Sequence, residues 1–141
     1  MAYLILLLFP FLAPAPAAHN VDVQIVSSTT GGKFYVAAYA TAHGFQEEEF
    51  VSNGTTEPAD KATHGAVALQ LPEAGEYVLA AFQDLNDNGE LDRNFLGVPT
   101  EPYGFAKIPP SKWRSPSFDE VATQVDGSGQ IRIELRPWSD Y

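Results

Sequence analysis

Short stretches in which apolar and polar residues alternate recur along this chain, and they constrain its fold more than any other feature. Residues 21–25 alternate in this way, and residues 65–71 place Val67, Leu69 and Leu71 on one side. A period of two is typical of a half-buried β-strand, because successive side chains point to opposite faces. No window shows the three-and-four apolar spacing of a capped amphipathic helix. The chain is therefore predicted to be all-β.

Six strands are predicted, each bounded by turn-forming residues, at positions 21–25, 33–41, 65–71, 76–83, 121–125 and 130–135. The last two flank Asp-Gly-Ser-Gly at 126–129, which predicts a β-hairpin. Six or seven short strands in about 120 residues are typical of a single small antiparallel β-sandwich. Alternation predicts a core built from Val23, Ile25, Val67, Leu69, Tyr77, Leu79, Ile131 and Ile133. The segment 43–61, with its run of three glutamates, is predicted to be a solvated loop.

One aromatic residue of the predicted core has two interpretations. Tyr77 follows the turn at 72–75 and begins the next strand, which is where a tyrosine corner lies in sandwich folds. The alternative is an ordinary half-buried strand aromatic.

The N-terminus has the pattern of a secretory signal. Residues 3–13 are apolar and include Pro10, and Ala15-Pro16-Ala17 supplies the small residues that a signal peptidase requires. The run is shorter than the roughly 20 residues of a membrane-spanning helix. We expect residues 1–17 to be removed, leaving a single domain at 18–141 in the periplasm or outside the cell. Alternatives are an apolar N-terminal strand or a start site placed inside the true signal.

Composition excludes several classes of function. The chain has no cysteine, which excludes disulfides, thiolate zinc sites and cysteine nucleophiles. Its formal net charge is −10, and its eight basic residues are scattered singly. Such a surface repels nucleic acid and anionic lipid and attracts cations. We therefore do not expect this protein to bind nucleic acid.

An acidic loop at residues 84–92 predicts a calcium site at the end of a strand. Asp84, Asn86, Asn88 and Asp92 place side-chain oxygens at its first, third, fifth and ninth positions, and the Glu90 carbonyl adds a fifth ligand. Calcium takes six to eight oxygen ligands from a sharply turning backbone, and Gly89 permits the positive φ that such a turn needs.

The loop differs from an EF-hand, because Phe95 stands where a bidentate glutamate would be and no helices flank it. The remaining ligand is expected from water or from Glu101, Asp119 or Glu120. With two charged side chains among the ligands, affinity is expected at the weak end, roughly 10⁻⁴–10⁻³ M. The alternative is a hairpin turn whose Asp and Asn side chains bond their own backbone.

The following segment, residues 93–120, is predicted to be a long ordered loop that leans on the acidic loop. It contains five prolines and five aromatic residues, and loops of this length are often functional. Its aromatic residues either form a lid over one end of the sandwich or a stacking platform for a sugar or peptide. The possible ligand surface consists of Asn94, Glu101, Tyr103, Phe105, Trp113, Phe118 and Asp119.

Five blocks in the second half of the chain occur in an order that resembles a known family. They are Leu71-Pro72 with Gly75-Glu76-Tyr77, the acidic loop, Asn-Phe-Leu-Gly-Val-Pro-Thr-Glu at 94–101, Tyr-Gly-Phe at 103–105 and Pro-Ser-Phe-Asp-Glu at 116–120. Together with His43-Gly44-Phe45, they resemble the exported bacterial family Domain of Unknown Function 2141. The resemblance implies an immunoglobulin/transthyretin-like sandwich, related to carboxypeptidase-regulatory-like domains, and implies no activity.

The chain departs from that family in the middle block. Pro102 stands where a second glycine is usual, Ala106-Lys107 replaces a Ser-Asn pair, and Trp113-Arg114 replaces glycine and phenylalanine. Details of any family ligand site in this segment are therefore expected to differ here.

The residues favour a binding role over catalysis. No His-Glu-x-x-His or Gly-x-Ser-x-Gly pattern is present. The expected function is an exported, non-enzymatic binding or accessory module of the bacterial envelope, with calcium as its cofactor and an unknown protein or carbohydrate as its partner. One alternative is a small secreted hydrolase that uses Glu101 and Asp119, although structural hydrogen bonding by these carboxylates is the simpler interpretation. Another is an envelope structural component that acts through sheet edges.

Overall fold

The computed structural model describes residues 18–57, 63–127 and 129–141, which form strands and three short helical turns. The elements in chain order are β1 (His19–Ser27), β2 (Lys33–Tyr39), α1 (Ala42–Gln46), β3 (Ser52–Thr56), β4 (His64–Leu71), β5 (Gly75–Asp84), β6 (Tyr103–Phe105), α2 (Phe118–Val121), β7 (Thr123–Val125), β8 (Gly129–Leu135) and a 3₁₀ turn (Trp138–Asp140). The predicted signal peptide, residues 1–17, and Ser128 of the predicted hairpin turn lie outside the described residues.

Two sheets form the sandwich. One has the order β4-β1-β8, and the other has the order β3-β2-β5-β6, with β7 also pairing with β5. Strand β7 pairs with the beginning of β5 and β6 with its later part. The predicted all-β sandwich is thus confirmed. One pair departs from the antiparallel expectation, since β1 and β8 run parallel.

The core lies between the sheets and contains the residues that alternation selected. Seven of the eight predicted core residues are buried, and the eighth, Ile131, is half-buried against them. The Tyr77 hydroxyl donates to the Glu73 carbonyl at 2.7 Å, which is the backbone hydrogen bond of a tyrosine corner. That interpretation of Tyr77 is confirmed.

The predicted loop at 43–61 contains secondary structure in its described part, residues 43–57, and residues 58–62 lie outside the described residues. The described part contains most of α1, whose N-cap residue Thr41 accepts a hydrogen bond from the Gly44 amide, and all of β3, which pairs with β2. The glutamate run at 47–49 is exposed as expected. The composition of β3, Ser-Asn-Gly-Thr-Thr, is typical of a turn, and pairing with β2 makes it a strand.

The predicted hairpin around 126–129 is wrong. Only Thr123–Val125 is extended, because Phe118–Val121 forms the helix α2. β7 pairs with β5 in one sheet, whereas β8 pairs with β1 in the other. The glycine-rich connection between β7 and β8 thus joins strands of different sheets, and these two strands do not pair with each other.

A buried polar network fixes the end of β5, where the acidic loop starts. The side-chain amide of Gln83 accepts from the Ser27 hydroxyl at 2.6 Å and donates to the Thr29 and Gly31 carbonyls at 2.8 and 2.6 Å. Its backbone amide donates to the Pro102 carbonyl at 2.9 Å. Because buried amides are costly to leave unpaired, this network holds β5 against the β1–β2 turn and the start of β6.

Candidate functional site

The acidic loop folds back onto its own first residue. Asp84 is fully buried, and its two carboxylate oxygens accept the backbone amides of Asn88 at 3.2 Å and Gly89 at 2.8 Å. The turn passes through the left-handed region at Asp87 (φ 58°) and Gly89 (φ 77°), which aspartate and glycine tolerate better than other residues do. A buried carboxylate with two amide partners is the anchor of the turn.

The side chains of the other candidate ligands meet at Asp92. The amide nitrogen of Asn86 donates to one oxygen of Asp92 at 2.5 Å, and that of Asn88 donates to the other at 2.8 Å. Glu90 joins through its backbone amide, which donates to Oδ1 of Asn88 at 3.0 Å. The bonds to backbone amides match the hairpin-turn alternative. The convergence of two amides on one carboxylate goes beyond it and joins three of the four predicted side-chain ligands, while Asp84 accepts backbone amides of the same turn.

Glu101 closes the base of this loop. It is 5% exposed, and its two carboxylate oxygens accept the backbone amides of Leu85 at 2.8 Å and Asp92 at 3.1 Å. One oxygen therefore binds each end of the acidic loop. This arrangement matches the structural hydrogen bonding that the sequence analysis gave as the simpler interpretation of this carboxylate. The geometry gives no support to Glu101 as a general acid or base that faces a substrate.

Lys33 is a site residue that sequence reasoning missed. It lies opposite Asp84 in the β2–β5 pairing, and its ammonium group contacts Asp87 at 2.8 Å and Glu57 at 3.3 Å. The hydrogen bond that Lys33 donates to Asp87, together with the one to Glu57, raises the pKa of Lys33 above its ordinary value. The pair fastens the outer side of the acidic loop to β2. No sequence pattern near Lys33 predicts this contact, because only the register of β2 against β5 brings Lys33 to the loop.

Residues 94–98 form a tight turn that continues directly from the acidic loop. The Asn94 side-chain oxygen accepts the amides of Leu96 at 2.9 Å and Val98 at 3.1 Å. Its backbone amide donates to the Val98 carbonyl at 2.9 Å, and its carbonyl accepts the Gly97 amide at 2.9 Å. Asn94 thus shapes this turn. The adjacent Phe95 and Leu96 are 95% and 72% exposed, and we call them the apolar tip.

The other predicted surface residues divide into separate groups. Tyr103 and Phe105 belong to β6, where Tyr103 stacks on Tyr141 with ring centroids 4.8 Å apart. Trp113 is 78% exposed and stands edge-on to Trp138 at 5.2 Å. Segment 93–120 is therefore divided by a strand, with its first part on the acidic loop and its Trp113 part on the C-terminal turn.

Phe118 and Asp119 begin α2, which is held by a neighbouring ion pair. Both guanidinium nitrogens of Arg114 contact Glu120, at 2.6 and 2.7 Å, and Glu120 also caps the helix through Ser117. The Arg114 hydrogen bonds, followed by that from the Ser117 amide, lower the pKa of Glu120 to about 2. Glu120 is therefore engaged by α2 and Arg114, and Asp119 is exposed.

Open depressions, rather than a deep cleft, mark the described surface. One of about 150 Å³ is lined by Phe105, Ala106, Ile108, Pro109, Arg132, Glu134, Arg136 and Tyr141. A second, of about 380 Å³, is bordered by Ser27, Glu134 and Asp140 among others. Within residues 18–57, 63–127 and 129–141, no three His, Cys, Asp or Glu side chains gather as a metal cluster. The acidic loop offers two carboxylates and two amides, a donor set suited to a hard ion held weakly.

Comparison with known proteins gives a family and no closer relative. No helix in the described part of the chain has the length and apolar character needed to cross a membrane. Neither the curated proteins nor the solved structures contain a match to this chain. A family model matches residues 21–133, which covers both sheets, the acidic loop and the turn beyond it. The chain belongs to the bacterial family described as "Uncharacterized protein conserved in bacteria (DUF2141)".

Proposed function

We propose that this protein is an exported, non-enzymatic binding or accessory module of the bacterial envelope, and that calcium stabilises its acidic loop. The observation that carries the proposal is the convergence of the loop's oxygen-bearing side chains. Asn86 and Asn88 both contact the carboxylate of Asp92, while Asp84 anchors the turn beneath them. Hydrogen bonds thus join the third, fifth and ninth positions, and the first position holds the turn that carries them.

The donor chemistry of the loop suits calcium. Asn86 and Asn88 now present amide nitrogens to Asp92, and each amide carries an oxygen on the same planar group. Rotation of an amide by half a turn exchanges the two atoms, so both residues can offer oxygens beside Asp92. Asp84 keeps lone pairs beyond its two amide bonds, and the Glu90 carbonyl completes the proposed set. The ion would offset the four carboxylates at 84, 87, 90 and 92.

A binding role is favoured over the hydrolase alternative by the surroundings of Glu101. Both oxygens of this buried carboxylate are occupied by backbone amides, and the described depressions are open. The edge strand β3 is uncharged, as the structural alternative expects. However, β3 has five residues, and short edge strands are one means by which sheets avoid pairing.

Thermal unfolding with and without calcium tests the proposed site. At a dissociation constant near 1 mM, about 10 mM calcium would add roughly 1.4 kcal/mol to the free energy of unfolding. For a domain of this size that is a rise in Tm of roughly 4–7 °C. Asp92→Asn should remove most of the rise, because it removes a ligand carboxylate.

Glu90→Gln is the matched control for that experiment. It removes the same charge but leaves the backbone carbonyl that is the proposed ligand, so the rise should persist. Ionic strength is held fixed by replacing calcium with sodium in the chelator sample. An equal loss in both variants would indicate a diffuse attraction of cations, and an unchanged wild-type Tm would leave only the hairpin-turn interpretation.

The intact mass of the exported protein tests the proposed signal peptide. The motivating feature is the apolar run that ends in Ala15-Pro16-Ala17. We expect protein recovered from outside the inner membrane of a bacterial host to begin at Ala18. Intact-mass measurement checks this, and retention of residues 1–17 on exported material would reject the signal-peptide interpretation.

A further inference from the structure

Hydrogen bonds fix the backbone of the turn that carries the apolar tip, and the side chains of the tip are exposed to water. Phe95 and Leu96 are 95% and 72% exposed, yet four hydrogen bonds that involve Asn94 fix the turn that carries them. The Asp92 carbonyl also accepts the Thr100 amide at 2.9 Å, which closes the stem below the turn. Two adjacent large apolar side chains exposed on a turn with a fixed backbone form a small patch that is suited to contact another surface. The tip is convex and therefore fits a concave partner.

A concave surface of matching size lies on the same chain. The depression of about 150 Å³ contains Phe105, Ala106 and Pro109 and is bordered by Arg132 and Arg136. An apolar cavity of about 150 Å³ is large enough to bind benzene. One phenyl ring is therefore the size of group that this depression accepts.

The charges around the two surfaces are complementary. The stretch 84–101, which carries the tip, has five carboxylates and one basic residue, Arg93. Lys33 pairs with one of these carboxylates, Asp87, and the region stays net negative. The depression is lined by two arginines and one glutamate, and Arg136 contacts Glu134 at 3.1 Å. Arg132 thus supplies the excess positive charge at the rim.

We propose that the tip of one copy of this protein docks into the depression of a second copy, with the Phe95 ring inside it. The contact joins two different surfaces, so each copy presents both a tip and a depression. The contact can be made reciprocally in a two-fold dimer, in which each copy inserts its tip into the other, or it can repeat head to tail in a ring or chain. The contact does not require calcium, although an ion in the acidic loop would lessen the negative charge beside the tip.

Sedimentation velocity over a range of protein concentrations tests this, with calcium held constant. The weight-average mass of the wild type should rise with concentration above that of a monomer. Phe95→Ser removes the tip and Arg132→Glu reverses the charge at the rim. Each should raise the concentration of half-association at least tenfold. Phe50→Ser is the control, because Phe50 is 51% exposed in the connection between α1 and β3 and its loss should change nothing.

Mixing the two variants gives the sharpest result. Phe95→Ser retains the depression and Arg132→Glu retains the tip, so an equimolar mixture should form one-to-one dimers and nothing larger. The proposal is overturned if the wild type remains a monomer at all concentrations. It is also overturned if Phe95→Ser associates like the wild type, or if the mixture stays monomeric. Phe95-dependent binding to phosphatidylcholine vesicles by a monomeric wild type would assign the tip to lipid and reject self-association.

Discussion

Replacing Glu101 by glutamine removes the clamp at the base of the acidic loop without changing its shape. The carboxylate is 5% exposed and accepts the amides of Leu85 and Asp92. Hydrogen bonds to a charged group contribute about 1.5–3 kcal/mol each. Glutamine keeps one oxygen, so one bond survives in neutral form at about 1 kcal/mol. At the other position its NH₂ group faces a backbone donor, and that bond is lost.

The expected loss from Glu101→Gln is therefore about 2–5 kcal/mol in the free energy of unfolding. Urea titration followed by far-ultraviolet circular dichroism measures it, as a lower midpoint at unchanged slope. Hydrogen exchange shows where in the fold the stability is lost, since the amides of Leu85 and Asp92 should exchange faster. If only the loop opens, exchange accelerates there while the urea midpoint changes less.

Glu90→Gln is the matched control, because Glu90 is an exposed carboxylate in the same loop. It should change stability by no more than about 0.5 kcal/mol. The reasoning fails if Glu101→Gln unfolds at the wild-type urea concentration and the amides of Leu85 and Asp92 keep their protection.

Three further outcomes are expected from other parts of the fold. Leu79→Ala should cost about 2–5 kcal/mol in urea unfolding, because Leu79 is fully buried, whereas Leu96→Ala at the exposed tip should cost no more than about 0.5 kcal/mol. Tyr77→Phe should cost about 1 kcal/mol in the same assay, because it removes the hydrogen bond to Glu73. Folding lowers the pKa of Glu120 from 4.5 to about 2, so its stabilisation is present above pH 4.5 and is lost as pH falls toward 2. Thermal midpoints of Glu120→Gln should therefore fall less across that window than those of the wild type.

Strands with a period-two apolar pattern could be predicted from the sequence because burial on one face leaves that pattern. β1, β4 and β8 each alternate buried and less buried residues, and each was predicted within two residues at either end. The core followed from the same signal. Patterning of this kind reports which face is buried and carries no information on which strands pair.

The elements that were missed lack such a local signal. β3 contains Gly54, and a side chain there would collide with Val67, so the residue that weakens the strand pattern is required by sandwich packing. The turn at 126–129 has hairpin composition, yet its two strands lie in different sheets. In both cases tertiary packing decides the outcome over local preference.

The spacing of its residues identified the acidic loop. The same spacing could not show that Glu101 holds the base of the loop through hydrogen bonds and is not simply another candidate ligand. Glu101 lies sixteen positions from Leu85, and only the fold shows that it binds both ends of the loop. Lys33 is farther still and reaches Asp87 through the β2–β5 register. Spacing identifies groups within one turn, whereas partners from other strands require the sheet.

The loop therefore divides its carboxylates between two tasks. Asp84 and Glu101 are buried, and each accepts two backbone amides, so these bonds hold the turn without an ion. Of the two, Asp84 is also a proposed ligand. Asp92 is contacted by two neutral amides, which can reverse, and it is the carboxylate whose partners are easiest to change. Under the proposed calcium site, Asp92→Asn should thus alter ion binding with little effect on the ion-free fold. Glu101→Gln should weaken the ion-free fold itself, and this contrast separates scaffold from ligand in a loop of nine residues.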